Sequence, residues 1–264
     1  MQSRRTTEDY GHVREDGLLE LPTGVALQYK VIPPPPAQSS GRGYSETGGA
    51  GGKGKKLAVC LHPWSWLGGG MNDPVLFSLE DVLHGNGYHV LRYNSRGVGR
   101  STGRATFTGL EEGKDLEGVV LWGIQELGGV SSVVIIGYSH GSLITTLHPG
   151  LDQEPQHVKL AYVLLSYPLG PRSFLTLFKG SYYDEKLDEL ITASKSKILI
   201  AFGGRDEFTS FHRYKDWVKR LKSKAPVQEE EMLSVLGVPE ATHFWFNESN
   251  DKLQVELARW LGSL

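Results

Sequence analysis

A serine lies between two glycines in the segment 135–143, which reads IIGYSHGSL. Gly137 and Gly141 stand two residues before and two residues after Ser139, directly behind an apolar run. The pattern Gly-x-Ser-x-Gly is typical of a sharp turn from a buried strand into a helix, which projects the serine hydroxyl from the end of a sheet. Both flanking residues must be small, because larger side chains would collide with the neighbouring strand and helix. Ser139 is therefore the candidate nucleophile.

A serine hydroxyl needs a base to act as a nucleophile near neutral pH, and the base needs an acid that orients it. The chain order expected with this turn is serine, acid, histidine. Asp206 follows the apolar run 197–203, and His243 follows a later strand-like segment just before the last predicted helix. Asp206 and His243 are thus the predicted acid and base. Two alternatives stay open: Glu207 could be the acid, and Asp206 could instead cap the helix that begins near residue 209.

His140 adjoins the candidate nucleophile, but its predicted contribution comes from its main chain. The residue after the serine begins the helix, so its side chain points away from the serine oxygen while its N–H is available to an oxyanion. A role for the His140 ring as the base is the minor alternative. The second oxyanion donor is expected in the loop after the strand at 56–62, where Pro63 lacks an N–H and Trp64 is the better candidate. His62 is predicted to be structural.

The segments that must position these residues alternate between strand-like and helix-like patterns. Short, nearly continuous apolar runs indicate strands buried on both faces of a parallel sheet, and they cover 56–62, 88–94, 132–138, 158–167 and 197–203. Helical patterns lie at roughly 74–85, 110–127, 140–148, 209–224 and 250–262. Two shorter strands are expected on either side of the turn at 22–24. This alternation predicts an α/β fold with a mostly parallel sheet covered by helices on both faces.

The 264 residues are predicted to form a single domain over 17–264, because neither an internal repeat nor a clean boundary interrupts the alternating pattern. Residues 1–16 are polar and are expected to be flexible. The segment 33–56 contains four consecutive prolines followed by a glycine-rich stretch. Such a composition buries too little apolar surface to fold, so we predict a disordered loop there.

Composition and spacing exclude several classes of function. The formal net charge of −2 lacks the basic surplus expected of a nucleic-acid-binding protein. Cys60, the single cysteine, lies in an apolar run and is predicted to be a small core residue. No nucleotide cofactor is expected, because neither the glycine-rich segment 96–103 nor Gly52-Lys53 has the spacing of a nucleotide-binding loop. No metal site is expected either, because the sequence has no His-Glu-x-x-His motif and no cysteine cluster. Without a leader-like segment or a long apolar run, we expect a cytoplasmic protein with no membrane span.

The sequence resembles the α/β-hydrolase superfamily over roughly 18–264. The motifs that carry the resemblance are LHPW…GGG at 61–70, YNSRGVGRSTG at 93–103, GYSHG at 137–141, GGRDEF at 203–208 and THF at 242–244. They are similar to a branch of small, cap-poor serine hydrolases near the dienelactone-hydrolase-like and dipeptidyl-peptidase-like groups. The resemblance implies an α/β-hydrolase fold with about eight strands and a minimal cap. It also implies that Ser139, Asp206 and His243 are the nucleophile, acid and base.

The expected reaction is hydrolysis of an ester or related acyl bond in a small-molecule substrate. The stretch between the runs 158–167 and 197–203 is short for a lid, so the pocket should be open and apolar and should favour small or medium acyl groups. The predicted substrate-binding residues are Trp66, Leu67, Phe174 and Trp245. A carboxylesterase-like enzyme is the main hypothesis. A peptidase or thioesterase with the same triad, or a ligand-binding or scaffold protein on the same fold, stays open.

Overall fold

The computed structural model describes residues 15–36, 54–148, 158–193, 196–225 and 232–264. Eight strands form one sheet in the order β1-β2-β4-β3-β5-β6-β7-β8. They are β1 (Glu15–Glu20), β2 (Ala26–Ile32), β3 (Lys55–Leu61), β4 (Tyr88–Tyr93), β5 (Val130–Tyr138), β6 (Lys159–Leu165), β7 (Lys197–Gly203) and β8 (Leu233–Val238). Only β2 runs against the others, since it pairs antiparallel with both β1 and β4 while all remaining pairs are parallel.

Eight α-helices connect or follow these strands within the described part of the chain. They are α1 (Pro74–Ser78), α2 (Glu80–Gly85), α3 (Leu110–Leu127), α4 (His140–Thr145), α5 (Arg172–Leu175), α6 (Gly180–Ala193), α7 (Phe211–Lys222) and α8 (Glu248–Leu261). A short 3-10 helix covers Ser65–Leu67. The predicted α/β architecture, a mostly parallel sheet of eight strands with helices, is confirmed.

Two apolar layers cover the sheet, one on each face. Helices α3, α4, α6 and α7 contribute to the first layer, and α1, α2 and α8 contribute to the second. Strand β5 shows the alternation directly, because Val133 and Ile135 face the first layer while Val134 and Ile136 face the second. Burial on both faces explains why the central strands read as continuous apolar runs in the sequence.

Strands β1 and β3 begin earlier in the sequence than their apolar runs predicted. Strand β1 starts at Glu15, inside the segment 1–16, because main-chain pairing with β2 continues from Glu15 opposite Val31. Strand β3 starts at Lys55, inside the predicted loop 33–56, where it pairs with β5. Backbone pairing needs no apolar side chain, so a strand can extend past its apolar run. Most of both predicted flexible segments, 1–14 and 37–53, lies outside the described residues.

Helices α5 and α6 occupy the stretch between β6 and β7. Four residues of α6 are buried in the first apolar layer, namely Tyr183, Leu187, Leu190 and Ile191. A bidentate ion pair from Arg172 to Asp184, with both N–O distances 2.7 Å, ties α5 to α6. Helix α6 is therefore packed as part of the body of the domain.

Candidate active site

The turn between β5 and α4 holds Ser139 in a strained conformation, with φ 54° and ψ −118°. A non-glycine residue adopts such a conformation only where the surrounding structure enforces it. A Cβ atom at Gly137 would collide with the carbonyl oxygen of Gly141, and one at Gly141 would lie 2.5 Å from the carbonyl oxygen of Leu61. The sharp turn predicted from the Gly-x-Ser-x-Gly pattern is thus present, together with its steric reason for glycine at both positions.

A chain of hydrogen bonds joins the three residues that the sequence singled out. The distance from His243 Nε2 to Ser139 Oγ is 2.8 Å, and the distance from His243 Nδ1 to Asp206 Oδ2 is 2.7 Å. All three side chains are buried. They come from three different loops, each of which follows the carboxyl end of a strand, namely β5, β7 and β8. The arrangement couples a hydroxyl to an imidazole and the imidazole to a carboxylate.

The Asp206 carboxylate accepts four hydrogen bonds in a loop that closes around it. Oδ1 accepts the main-chain N–H groups of Phe208 at 2.8 Å and Thr209 at 2.9 Å. Oδ2 accepts the Tyr214 hydroxyl at 3.1 Å in addition to the imidazole of His243. Donors on every side stabilise the ionised carboxylate and fix its orientation.

Neither alternative for the acid agrees with this geometry. Helix α7 begins at Phe211, and its N-cap is Ser210, whose side chain accepts from the N–H of Arg213. Asp206 therefore does not cap this helix. Glu207 contacts the main chain of His243, whose N–H donates to Oε2 at 2.8 Å. Of these two carboxylates, only that of Asp206 contacts the His243 ring.

Hydrogen bonds from Tyr138 at the end of β5 and from Ser166 directly after β6 hold the His243 loop against the sheet. The Tyr138 hydroxyl donates to the His243 carbonyl oxygen at 3.0 Å, and the Ser166 hydroxyl donates to the same oxygen at 3.3 Å. The indole N–H of Trp245 donates to Ser166 Oγ at 2.8 Å. The edge of the His243 ring packs against Phe208, with ring centroids 4.7 Å apart. The imidazole is consequently fixed through its main chain and its ring.

His140 and Trp64, whose main-chain N–H groups are the predicted oxyanion donors, belong to segments that neighbour the candidate nucleophile. His140 is the first residue of α4, a position at which the helix itself offers no acceptor for the N–H. Trp64 lines the same cleft as Ser139. Within the described residues, neither N–H donates to a main-chain acceptor outside the regular elements. Gly141 packs against the carbonyl oxygens of Leu61 and His62, so the start of α4 and the loop after β3 are neighbours.

His140 lines a small cavity together with His62, Tyr93, Ser95 and Glu112, and Ser139 is not among the residues that line it. Burial lowers the pKa of His140 to about 4, and the neighbouring His62 adds to the effect. His62 bridges the Pro63 carbonyl oxygen, at 2.6 Å from Nδ1, and the Ser95 N–H, at 3.0 Å from Nε2. His62 thus has hydrogen-bond partners within the loops, as expected of a structural residue, and the imidazole that contacts Ser139 Oγ is that of His243.

An open cleft of about 260 Å³ lies above Ser139. Its walls are mostly apolar or aromatic and are formed by Pro63, Trp64, Leu67, Tyr138, Pro168, Pro171, Phe174, Leu175, Phe208 and Phe244. Several of these side chains are exposed at its mouth, including Leu67 and Phe174 at 71% and 69%. Ser139 and His243 line the same cleft and are buried. A molecule that reaches Ser139 would therefore pass between apolar walls.

No protein-family model matches the chain. An uncharacterised protein of Rickettsia prowazekii is 38% identical over 88 residues, which cover 33% of this chain and 37% of that protein. An uncharacterised protein of Schizosaccharomyces pombe is 22% identical over 211 residues, which cover 79% of this chain and 86% of that protein. The first match therefore spans little more than a third of the relative's length.

Solved structures resemble the chain over nearly its whole length. A lidless α/β serine hydrolase from Xanthomonas campestris superimposes with a TM-score of 0.64 at 21% identity and covers 96% of this chain and 94% of its own. An α/β serine hydrolase homologue from Coxiella burnetii gives 0.62 at 25%, covering 96% and 98%. The chain has the α/β-hydrolase fold. An esterase of Pyrococcus furiosus gives 0.68 at 16% identity, covering 100% and 99%. The superfamily resemblance is confirmed at the level of this fold, while the branch within it stays a prediction.

Two of the four predicted substrate-binding residues of this α/β-hydrolase fold lie away from the cleft. Trp245 is 2% exposed, packs in the second apolar layer and uses its N–H on Ser166. Trp66 is 59% exposed and lines a separate depression beside Phe107, because the 3-10 helix turns it away from its neighbour Leu67. Leu67 and Phe174 do line the cleft.

Sequence reasoning missed several residues around the site. Tyr214, Phe208 and Phe244 contact the Asp206–His243 pair, and Asp73 lines the cleft. Phe208 and Phe244 follow the predicted acid and base closely in sequence, which was an available signal for them. Within the described ranges, no group of three or more His, Cys, Asp or Glu side chains is arranged to hold a metal ion. In the same ranges, the helices are too short or too polar to cross a bilayer.

Proposed function

We propose that this protein is a serine hydrolase that cleaves an ester or related acyl bond of a small to medium substrate. The observation that carries the proposal is the unbroken hydrogen-bond chain from Asp206 through His243 to Ser139. Its two distances, 2.7 Å and 2.8 Å, are those of a proton path that is already assembled. The strained turn at Ser139 adds support, since such strain is concentrated where a side chain must be presented to a ligand.

In the first half of the proposed reaction, Ser139 Oγ attacks the substrate carbonyl carbon while His243 Nε2 takes the hydroxyl proton. Asp206 holds the imidazole in orientation and stabilises the imidazolium that forms. The N–H groups of His140 and Trp64 donate to the oxyanion, where a single donor is typically worth roughly 10²–10³ in kcat. Collapse of the tetrahedral intermediate breaks the bond to the leaving group, which takes the proton from His243.

In the second half, water releases the acyl group. His243 takes a proton from a water molecule, whose oxygen attacks the acyl carbon of the ester on Ser139. The second tetrahedral intermediate collapses, Ser139 Oγ recovers a proton from His243, and the carboxylic acid leaves. The net change is the addition of one water across the acyl bond, so no oxidant, reductant or cofactor is required.

Cleft size and polarity support a carboxylesterase-like activity on small or medium acyl groups. A cleft volume of about 260 Å³, with Leu67, Phe174 and Phe208 in the walls, suits an apolar acyl chain of limited length. Thioesters and peptide amides use the same triad chemistry, and they stay open as alternatives. A ligand-binding protein with slow turnover, or a scaffold that recruits a partner through 33–56, also stays open.

A series of p-nitrophenyl esters from acetate to palmitate, compared with a thioester and a peptide amide, tests this proposal. We expect the highest kcat/KM for short or medium acyl esters, and loss of turnover in Ser139→Ala. Absence of Ser139-dependent turnover on every substrate class would contradict the hydrolase function. Tight ligand binding with negligible turnover would favour the binding protein instead.

A further inference from the structure

Asp73 is a carboxylate in the wall of an otherwise apolar cleft. It lines the cleft together with Ser139 and His243. The cleft lining contains no lysine or arginine and no second carboxylate among the described residues. Asp73 therefore supplies the one fixed negative charge that a molecule bound above Ser139 would meet.

The described residues provide no permanent cation for this carboxylate. Asp73 is half-buried, and its Oδ1 accepts the N–H of Val75 at 2.9 Å. Burial raises the pKa of the Asp73 carboxyl above its ordinary value, while the main-chain donors and then protonated His243 act in the opposite direction. A partly desolvated carboxylate without a cation partner gains stabilisation from a ligand that supplies one.

The aromatic walls of the cleft that Asp73 lines favour the same class of ligand. Trp64 and Phe174 meet edge to face with ring centroids 5.7 Å apart, and Phe208 and Phe244 meet with ring centroids 6.3 Å apart. All four rings line the cleft. The face of an aromatic ring attracts ammonium groups, and a carboxylate next to such rings adds a direct ionic attraction.

We propose, on the basis of the hydrolase function proposed above, that the cleft selects esters that carry a cationic ammonium group. Asp73 is the specificity-determining residue, and it contacts the cation while Ser139 attacks the ester carbonyl. The same charge disfavours substrates that carry a carboxylate, because two like charges in a partly desolvated cleft repel each other.

A purely structural role for Asp73 is the competing explanation. The residue caps α1, and loss of a cap typically costs about 1 kcal/mol of stability. Asp73→Asn separates the two roles, because asparagine caps a helix as well as aspartate does but carries no charge. Asp81→Asn is the matched control, since Asp81 is an exposed carboxylate in α2 that does not line the cleft.

The experiment uses two pairs of esters that match in shape and differ in charge. Butyrylcholine and 3,3-dimethylbutyl butyrate place the cation or its neutral isostere on the alcohol side. Ethyl 4-(trimethylammonio)butanoate and ethyl 5,5-dimethylhexanoate place it on the acyl side. The readout is the ratio of kcat/KM for the cationic ester to that for its neutral partner, measured by pH-stat at about pH 8, well above the ordinary pKa of an aspartate.

Wild-type protein should prefer the cationic ester of at least one pair. Asp73→Asn should lower that ratio on the order of tenfold, the size expected for a lost contact to a charged group, whereas Asp81→Asn should leave it unchanged. Hydrolysis of the neutral esters without a charge preference in either pair would overturn the proposal and leave the hydrolase function intact. An equal loss on both esters in Asp73→Asn would also overturn it. If the protein hydrolyses p-nitrophenyl esters but none of these four esters, the proposal is overturned and the hydrolase function stands. If Ser139-dependent turnover is absent on the p-nitrophenyl esters, the thioester and the amide as well, the hydrolase function itself is contradicted.

Discussion

Glu207 and His243 are joined through the main chain: the N–H of His243 donates to Glu207 Oε2 at 2.8 Å. The adjacent Asp206 reaches the His243 ring instead, at 2.7 Å from Nδ1. Two neighbouring carboxylates thus hold the same residue by different atoms. One positions its backbone, and the other orients its imidazole.

This division predicts different results for two conservative substitutions. Asp206→Asn should keep the shape of the loop but orient the imidazole poorly. We expect a loss on the order of 10⁴ in kcat, the size typical of this substitution in a Ser-His-Asp triad. Glu207→Gln retains an acceptor for the His243 N–H, so its kcat should stay close to that of the wild type. Steady-state kinetics on a short acyl ester measures both. Exchanged results would assign the acid to Glu207.

The two histidines beside Ser139 should also behave differently. His140→Ala keeps the main-chain N–H and should retain most activity, because the imidazole that contacts Ser139 Oγ is that of His243 and the cavity lined by His140 does not include Ser139. The pH profile of kcat should keep its shape as well, since burial holds the His140 pKa at about 4 and its ring neutral at neutral pH. His243→Ala removes the general base and should lower kcat on the order of 10⁶. An inactive His140→Ala beside an active His243→Ala would overturn the assignment.

Gly141 provides a test of the serine turn that is independent of catalysis. An added Cβ would lie 2.5 Å from the Leu61 carbonyl oxygen, so Gly141→Ala should force the start of α4 away from β3 and lower the melting temperature. Gly85→Ala is the control, because among the described residues no atom beyond its chain neighbours and its own helix backbone lies within 4 Å of its Cβ position at the end of α2. Equal melting temperatures for the two variants would show that the turn tolerates a side chain at Gly141. The close contact described between Gly141 and the Leu61 carbonyl oxygen would then be wrong.

Local sequence patterns predicted the central strands and the turn at Ser139, because these features depend on residues that are close together in the sequence. Continuous apolar runs gave β5 and β7 within two residues, and the Gly-x-Ser-x-Gly spacing gave the turn at Ser139 because sterics at Gly137 and Gly141 leave little choice. The chain order then gave Asp206 and His243 from their positions after strands.

Contacts between distant segments could not be predicted in this way. An aromatic residue near a site in sequence points into the cleft or into the core depending on local backbone angles, and the left-handed φ of 51° at Trp245 is one such angle. The hydroxyl of Tyr214 reaches Asp206 from helix α7, and Asp73 reaches the cleft from the far end of the loop between β3 and α1. A pattern in one sequence does not indicate which side chains from separate segments will contact each other.

The most direct measurement of the central claim is covalent labelling of Ser139 by a fluorophosphonate, followed by intact-protein and peptide mass spectrometry. A serine activated by His243 and Asp206 should take up one equivalent of the probe, with the adduct on the peptide that contains Ser139. Ser139→Ala should stay unlabelled while retaining the wild-type circular dichroism spectrum and melting profile. A wild-type protein that stays unlabelled although folded, or a folded Ser139→Ala variant that labels as fast as the wild type, would contradict the account.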